Sequence, residues 1–336
     1  MDSLTHIVLG ACIGEAVAGK KLGKKAMLLG AIAQSLPDID FVTAFFLSDT
    51  QDIVAHRGIT HSLLFIVVGT LVLSFLSDKI FHKTPLSYKS WFLLFGINLF
   101  VHVFIDSFNA YGTGWFEPFS HRRFSFNVLF VIDPFFSIWP FLGVLGLLIL
   151  RRHDRRRKRC WEIGIGMSVL YLGYAITNKL QADKVVRENL AAQHIPADHY
   201  FTIPTIMNTW LWEAVVRKDN GYYIAYHSVF DRNEQMNFTW FPRQDSLLEL
   251  VENKEEVKDL QVFANGYYTL ERRNDTLIFN VLRFGQIAGW ENPAAPFAFY
   301  YYCDRPEANN LVVQRGRFKG WDLKRTRSFI RRIKGN

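Results

Sequence analysis

The segment HRGITHS at residues 56–62 carries two histidines, His56 and His61, with Gly58 between them and an apolar run directly after them. Imidazole nitrogens bind divalent transition metals and exchange protons near neutral pH. Histidines at the end of an apolar segment also serve as capping or interfacial groups, so the pair alone does not decide between these roles. Its interpretation depends on which other polar residues the fold brings to the same place.

A second pair able to do chemistry is His102 and Asp106, spaced i, i+4 in the segment HVFID. On a helix this spacing places both side chains on one face, on successive turns. The two can bind one metal together, or the carboxylate can orient the imidazole. A single buried hydrogen-bonded pair is the third interpretation.

The segment PDID at residues 37–40 adds two carboxylates, Asp38 and Asp40. Pro37 disfavours a continuous helix, and residues two apart in an extended segment point to opposite sides. Both carboxylates can therefore reach one centre only if the helix breaks here. A capping or turn role fits one of them, and Asp38, directly after Pro37, is the better candidate for it.

Imidazole and carboxylate groups without thiolates favour zinc or a similar divalent ion, one or two in number, with a position left open for water. Such an ion lowers the pKa of water and polarises the bond to be attacked, so hydrolysis is the expected chemistry. The candidate catalytic groups are His61, Asp40 and His121. Arg122 and Arg123, directly after His121, are candidates for binding a phosphoryl oxygen, with headgroup anchoring as the alternative.

Two further acids have structural explanations. We expect Glu15 to pair with Lys20 or Lys21 near the end of the first apolar segment. Asp133, directly before Pro134, is expected to cap the helix that follows it.

Long apolar runs fill the first 178 residues and predict the helices that position these groups. The first run spans roughly 24 Å at about 1.5 Å per residue, against a hydrocarbon core of about 30 Å, so it is either re-entrant or tilted into the protein. We therefore predict an α-helical polytopic membrane domain, residues 1–178, with five or six segments. The runs are Leu4–Gly19, Ala26–Leu47, Ser62–Ser77, Trp91–Phe108, Leu129–Leu150 and Trp161–Asn178.

Lysine and arginine are distributed unevenly among the connections between these runs. Fourteen lie in residues 20–25, 79–89 and 151–159, and three lie in the intervening connections. Because basic loops stay in the cytoplasm, the intervening connections and the chain after residue 178 are expected outside. Ionisable groups beside membrane segments are costly and indicate function. Those expected at this one extracytoplasmic face are His6, Asp38, Asp40, His56, His61, His102, Asp106 and His121.

Residues 179–336 predict a soluble, mainly β (α+β) domain. Turn signals at residues 219–221 and 273–275 separate strand-like runs and predict antiparallel hairpins. The segment Asp245–Asp259 predicts a charged helix, and the basic tail Lys319–Lys334 is most simply a solvated end, with contact to anionic headgroups as the alternative. The predicted strands are Thr209–Arg217, Tyr222–Val229, Gly266–Arg272, Thr276–Leu282 and Phe297–Cys303.

The charge and the cysteines exclude other classes. The formal net charge of +8 is shared by both halves, and the basic loops explain the share of the first half, so no nucleic-acid partner is expected. Cys12, Cys160 and Cys303 form no C-x-x-C, which excludes a zinc ribbon or a disulfide framework and leaves free structural thiols.

An ordered set of motifs resembles the YdjM-like family of membrane-bound, predicted metal-dependent hydrolases. The motifs are SLTHIVLG (3–10), PDID (37–40), HRGITHS (56–62), HVFID (102–106) and FSFNVLFVIDP (124–134). The later TWLWEAVV, GYYIAYHS and LIFNVLRFG are similar to the soluble C-terminal part of longer members. The resemblance implies a multi-pass hydrolase of the bacterial cytoplasmic (inner) membrane. The metal ligands that it implies are His6, Asp38, Asp40, His56, His61, His102 and Asp106.

By analogy only, the scattered His and Asp residues and the H-x-x-x-D pair are similar to those of bacterial zinc-dependent phospholipase C, an all-helical enzyme. The expected substrate is a membrane lipid or another amphiphile, with a phosphodiester or lipid headgroup favoured. The alternative is a non-catalytic metal-binding membrane scaffold or receptor. A transporter comes third, because the ionisable groups gather at one face.

Overall fold

The structure, a computed structural model, describes residues 1–196, 199–305, 309 and 321–335. Its fold class is the predicted one, since a helical N-terminal region with apolar helices precedes a C-terminal region of antiparallel sheets. Contacts divide the chain into two compact units. We call Met1–Phe46 with Ala55–Ala175 the helical unit, and Leu47–Val54 with Ile176–Asn336 the sheet unit.

The helical unit begins with a helical hairpin, α1 (Ser3–Leu22) and α2 (Lys24–Ser35), joined at Gly23. The chain then turns into a 3-10 helix, Pro37–Phe45, as the proline predicts. The elements that follow in the chain are α3 (Asp49–Ala55), the 3-10 turn Ile59–His61, α4 (Leu63–Ile80), α5 (Tyr88–Asp106), α6 (Pro134–Ile149) and α7 (Arg156–Ala192).

Among the described residues, three helices, α4, α5 and α7, are long and apolar enough to cross a membrane. The pair formed by α2 and Pro37–Phe45 is a fourth candidate, a broken span bent by 52°. The apolar helix α6 has 16 residues, fewer than a membrane crossing usually needs. Helix α7 passes residue 178 without a break and ends at Ala192, so its polar second half was not foreseen.

Glycines allow α1 and α2 to pack backbone to backbone. A Cβ added to Gly30 would lie 2.1 Å from the carbonyl oxygen of Gly10, and one added to Gly14 would lie 2.1 Å from that of Ala26. Neither approach leaves room for a side chain, so only glycine permits this spacing. The close hairpin fixes the N-terminal end of α1, which carries His6, against the C-terminal end of α2.

The predictions for Asp133 and Glu15 have different outcomes. Asp133 caps α6 as predicted, accepting hydrogen bonds from the backbone N–H groups of Phe135 and Phe136. The predicted partner of Glu15 was wrong: its carboxylate pairs with Arg157 of α7, at 2.8 Å from Nε and 2.6 Å from Nη2. A buried carboxylate needs a fully desolvated, bidentate partner, which an exposed lysine at the helix end does not supply.

The sheet unit contains two antiparallel sheets. One has the order β1 (His199–Pro204), β2 (Leu211–Lys218), β3 (Gly221–Ser228), β4 (Thr239–Pro242), and the other has the order β5 (Tyr268–Arg273), β6 (Thr276–Gln286), β7 (Phe297–Tyr302). Both predicted hairpins are confirmed, since Lys218 pairs with Gly221 and Arg273 with Thr276 at the ends of their ladders. The edge strands β1 and β4 were not predicted.

The predicted helix at Asp245–Asp259 is two helices. A 3-10 helix, Asp245–Leu250, ends before α8 (Lys254–Phe263) begins. The break is at Asn253, whose side chain accepts hydrogen bonds from the backbone N–H groups of Glu255 and Glu256 and so starts a new helix. The last element is α9 (Leu323–Ile333), within the predicted basic tail, whose residues 319 and 320 lie outside the described residues.

The three cysteines are free, as predicted. Burial, together with Asp304 and Glu256, raises the pKa of the Cys303 thiol to about 12. The Cys303 thiol therefore stays protonated at neutral pH, as expected for a structural cysteine.

Candidate metal centre

Four side chains of the helical unit converge on one point. Asp38 comes from the 3-10 helix after Pro37, His61 from the 3-10 turn before α4, and His102 and Asp106 from one face of α5. Each offers one ligand atom, and these four atoms lie within 4.8 Å of one another. The side chains of His61, His102 and Asp106 are fully buried, and that of Asp38 is 27% exposed.

Five of the six distances among these atoms are close to those found around a tetrahedral metal ion. Bonds of about 2.0–2.1 Å to nitrogen and oxygen place neighbouring ligand atoms about 3.3 Å apart around a tetrahedral ion. Here the two imidazole Nε2 atoms are 3.1 Å apart. Oδ1 of Asp38 lies 3.6 Å from Nε2 of His61 and 3.4 Å from that of His102. Oδ2 of Asp106 lies 3.4 Å and 3.6 Å from the same two nitrogens.

The remaining ring nitrogen of each imidazole is engaged on the opposite side. Nδ1 of His102 hydrogen-bonds the backbone carbonyl of Gln34, which fixes Nε2 as the nitrogen with a lone pair for a metal. Nδ1 of His61 lies 3.0 Å from Oγ1 of Thr60, which in turn lies 3.4 Å from Oδ2 of Asp40. Both rings are therefore oriented as in protein metal sites.

Asp40 holds the surrounding loop together. Its Oδ2 accepts a 2.7 Å hydrogen bond from the backbone N–H of Arg57 and lies 3.2 Å from Nδ1 of His56. Asp38 lies in the group of four and Asp40 beside it, so the structure favours Asp38 as the candidate ligand, where the local sequence favoured a turn role for it. The reason is the 3-10 helix, which turns Asp38 towards α5.

His6 lies against the other oxygen of Asp106. Its Nε2 is 3.2 Å from Oδ1, and its ring stacks on that of His102 with centroids 3.8 Å apart. The α-amino group of Met1 also contacts Oδ1. Oδ2 of Asp106, by contrast, is buried and receives no hydrogen bond from the residues that the structure describes. A buried carboxylate oxygen that accepts no hydrogen bond and lies beside two oriented imidazoles is a group that a divalent cation would bind.

Sequence comparison decides the family. The family model of the YdjM inner membrane protein matches residues 1–182. The chain belongs to the YdjM inner membrane protein family.

The chain is also similar to two curated proteins. It is 31% identical to inner membrane protein YbcI of Escherichia coli (strain K12) over 123 residues, covering 36% of this chain and 69% of that protein. It is 23% identical to the uncharacterized protein YfhP of Bacillus subtilis (strain 168) over 240 residues, covering 67% of this chain and 68% of that protein. No solved structure matches the chain.

One residue beside this YdjM-family site was not assigned a role from the sequence. Arg57 is 4% exposed, and its Nη2 lies 3.3 Å from Oδ2 of Asp106. Nη1 donates a 3.0 Å hydrogen bond to Oδ1 of Asn109, whereas Nε has no acceptor within the described part of the chain. The only sequence signal for a role of Arg57 was its position inside the HRGITHS motif. Its burial beside Asp106 depends on long-range packing that the sequence pattern does not reveal.

The predicted groups at residues 121–123 are placed apart from the four donors. The imidazole of His121 is 83% exposed and hydrogen-bonds Glu117 at 2.9 Å. Arg122 lies over the ring of Phe124. Arg123 donates a 2.8 Å hydrogen bond to the backbone carbonyl of His56, so its guanidinium supports the loop beside the site.

The site opens beside apolar surface. Asp38 and His56 are its partly exposed members, with side chains 27% and 39% exposed. The 3-10 helix that carries Asp38 also exposes large apolar side chains, as does the turn that carries His61. They are Ile39, Phe41, Val42, Phe45 and Ile59. An entrance bordered by exposed apolar groups suits an amphiphilic molecule that keeps its chains in lipid.

Proposed function

We propose that this YdjM-family protein is a metal-dependent hydrolase of the inner membrane that cleaves a lipid phosphoester at the extracytoplasmic face. The observation that carries the proposal is the close group of two oriented imidazoles and two carboxylates, largely buried and bordered by exposed apolar side chains. Asp38, His61, His102 and Asp106 would hold the ion, and two nitrogens with two oxygens favour zinc. When bound there, zinc would act as a Lewis acid on the phosphoryl group or acidify a water molecule, and because four protein donors fill a tetrahedral site, this chemistry requires expansion to a fifth ligand.

A phosphoester is favoured by Arg57. A buried guanidinium beside the donor group can bind the oxygens of a phosphoryl group with two parallel N–H donors. Nη2, 3.3 Å from Asp106, and the unpartnered Nε lie on adjacent corners of the guanidinium. An oxyanion at Nε would accept one hydrogen bond directly and a second from Nη2 in place of its 3.5 Å hydrogen bond to the carbonyl of Met1. Arg57 therefore replaces Arg122 and Arg123 as the proposed phosphoryl-binding group.

A proton carrier is available at the entrance. His56 lies 3.2 Å from Asp40, and its half-buried ring borders the open side of the site. The carboxylate orients the ring, and an imidazole at the edge of the site is placed to carry a proton between the reacting groups and solvent. Asp40 and His61 then act as an orienting group and a ligand, while His121 has no part in the proposed reaction.

The extracytoplasmic location rests on the basic loops at residues 20–25, 79–89 and 151–159. A reporter fused after Ala192, at the end of α7, tests it. A reporter that is active in the cytoplasm would overturn this part of the proposal and leave the metal site unaffected.

The experiment on function measures metal content and turnover in the same preparations. We expect purified wild-type protein to carry about one zinc per chain and to hydrolyse phospholipid or lipid-linked phosphate in mixed micelles. His61→Ala and Asp106→Asn should lose both metal and turnover. His121→Ala, an exposed histidine, is the matched control and should keep both. Bound metal without turnover on any of these lipids would instead favour a non-catalytic metal-binding scaffold, and absence of metal would overturn the proposal.

A further inference from the structure

The C-terminal helix α9 has two faces of different character. Its inward face packs through Phe329, which is 8% exposed and contacts the rings of Trp290 and Trp321. On the same side, Arg332 pairs with Asp231 at 2.6 Å and 2.9 Å. These contacts fix the rotation of the helix about its axis within the sheet unit.

The outward face is then determined by the periodicity of the helix. At about 100° per residue, six residues between 323 and 334 fall within an arc of about 120°. All six are exposed, and they comprise two aliphatic side chains and four cations, with no acidic residue among them. We call this set the basic face: Leu323, Lys324, Arg327, Ile330, Arg331 and Lys334.

The arrangement of the basic face is that of a helix lying at a lipid surface. Leu323 and Ile330 are 78% and 47% exposed and lie one above the other, two turns apart. The aliphatic pair lies at one edge of the arc and all four cations lie on the same side of it, with Lys324 and Arg331 at the far edge. An aliphatic line bordered by lysine and arginine allows shallow insertion between headgroups while the cations contact phosphates.

We propose that the basic face of α9 docks on an anionic phospholipid bilayer. Charge complementarity and the exposed aliphatic pair favour a bilayer over a soluble polyanion, which would bind the cations and leave Leu323 and Ile330 in water. The same chain carries apolar helices of membrane-spanning length, so a bilayer is always within reach of the sheet unit. The proposal depends neither on hydrolysis nor on which side of the membrane the sheet unit occupies.

The test uses the full-length chain in lipid nanodiscs. A fluorophore is attached at Ile330→Cys in a Cys160→Ser, Cys303→Ser background, since the remaining cysteine, Cys12, is fully buried. Quenching by nitroxide-labelled acyl chains then reports contact with lipid. We expect strong quenching in discs that contain phosphatidylglycerol, weak quenching in phosphatidylcholine alone, and loss of the difference in about 1 M salt, where the Debye length is about 3 Å.

Two variants with equal charge loss distinguish the basic face from general attraction. K324Q/R327Q/R331Q/K334Q should lower the ratio of docked to free helix in phosphatidylglycerol discs by at least about ten-fold. K254Q/K258Q/R272Q/R273Q removes four exposed cations elsewhere in the sheet unit and should leave the quenching unchanged.

Three results would overturn the proposal. They are equal quenching in both kinds of disc, equal loss of quenching in both variants, and a probe response to added polyphosphate that does not depend on the lipid. The comparison of lipids uses one labelled protein, so it stands even if a variant fails to fold. Turnover is not measured, so this outcome is separate from that of the hydrolase assay.

Discussion

Nη2 of Arg57 lies 3.3 Å from Oδ2 of Asp106, and both side chains are buried. The pair joins the HRGITHS segment to the HVFID helix, so two of the motifs that define the sequence pattern meet in one contact. A cation this close to a proposed ligand carboxylate lies near the place where an oxyanion of the substrate would bind. Arg57 therefore balances the charge of the donor group and, in the proposed reaction, would also bind the substrate.

Arg57→Gln should lower turnover by roughly a hundred-fold, since it removes a preorganised donor from a water-poor site. Metal content should stay near that of wild type, because none of the four proposed ligands changes. Steady-state hydrolysis and metal analysis of the same sample measure both. Arg122→Gln, at a residue stacked on Phe124, is the control and should retain turnover. A larger loss in the control than in Arg57→Gln would contradict the assignment.

Gly30→Ala should disrupt the α1–α2 hairpin, because the added Cβ would lie 2.1 Å from the carbonyl oxygen of Gly10. Overpacking of this kind costs about 1–3 kcal/mol, and the separation of the helices would displace His6 and Asp38. We expect a lower midpoint of thermal unfolding in detergent and reduced zinc retention.

Gly166→Ala is the matched control for that change, because a Cβ at Gly166 meets nothing within 4 Å. The added methyl group on α7 should raise the unfolding midpoint slightly, since alanine favours the helix by about 1 kcal/mol over glycine. Equal destabilisation by the two substitutions would show that close packing of α1 and α2 is not the cause.

Arg157→Met should destabilise the helical unit by about 3–5 kcal/mol, because it leaves the carboxylate of Glu15 buried without its cation. The double variant Glu15→Gln, Arg157→Met should recover part of this loss. Recovery stays partial because Arg157 also donates hydrogen bonds to the backbone carbonyls of Leu147 and Leu150. Lys20→Met removes the partner that the sequence indicated and should shift the unfolding midpoint little. A large effect of Lys20→Met would instead support the predicted pairing of Glu15 with Lys20.

Asp231 should make the stability of the sheet unit depend on pH. Burial alone would raise the pKa of Asp231, but hydrogen bonds from His227 and Arg332 outweigh it and hold the pKa well below its usual range. The folded pKa is below the unfolded value of about 3.9, so the stabilisation is present above that pH and is lost as pH falls towards the folded pKa.

Asp231→Asn should therefore lower the unfolding midpoint at pH 7, with the difference from wild type shrinking below about pH 4. Thermal unfolding at pH 7, 5 and 3 measures this. Asp275→Asn, whose side chain is 91% exposed in wild type, is the control and should show no such convergence. A difference for Asp231→Asn that stays constant down to pH 3 would argue against the ion pair as its source.

Local chemistry was sufficient for features set by neighbouring residues. The i, i+4 spacing placed His102 and Asp106 on one helix face, and Pro37 marked the end of α2. The turn residues at 219–221 gave the β2–β3 hairpin, and Asp133 before Pro134 gave a helix cap. In each of these cases the residues that determine the feature lie within a few positions of it in the sequence.

Features set by distant packing were not available from the sequence. The partner of Glu15 is 142 residues away in the chain. Strand β4 has four residues and owes its place to pairing with β3, so it carries little pattern of its own. Asp38 and Asp40 look alike locally, and only the 3-10 geometry after Pro37 separates the proposed ligand from the residue that organises the loop.

The break at Pro37 couples two proposed ligands, Asp38 and His102, that belong to different helices. In an uninterrupted helix the carbonyl of Gln34 would accept from the backbone N–H of residue 38. The break releases that carbonyl to orient His102 and at the same time turns Asp38 into the site. Straightening the helix would therefore move Asp38 out of the site and leave the ring of His102 without the carbonyl that orients it. Zinc bound by these residues would stabilise the bend between α2 and the 3-10 helix after it. Removal of zinc should therefore first change the backbone conformation at this bend.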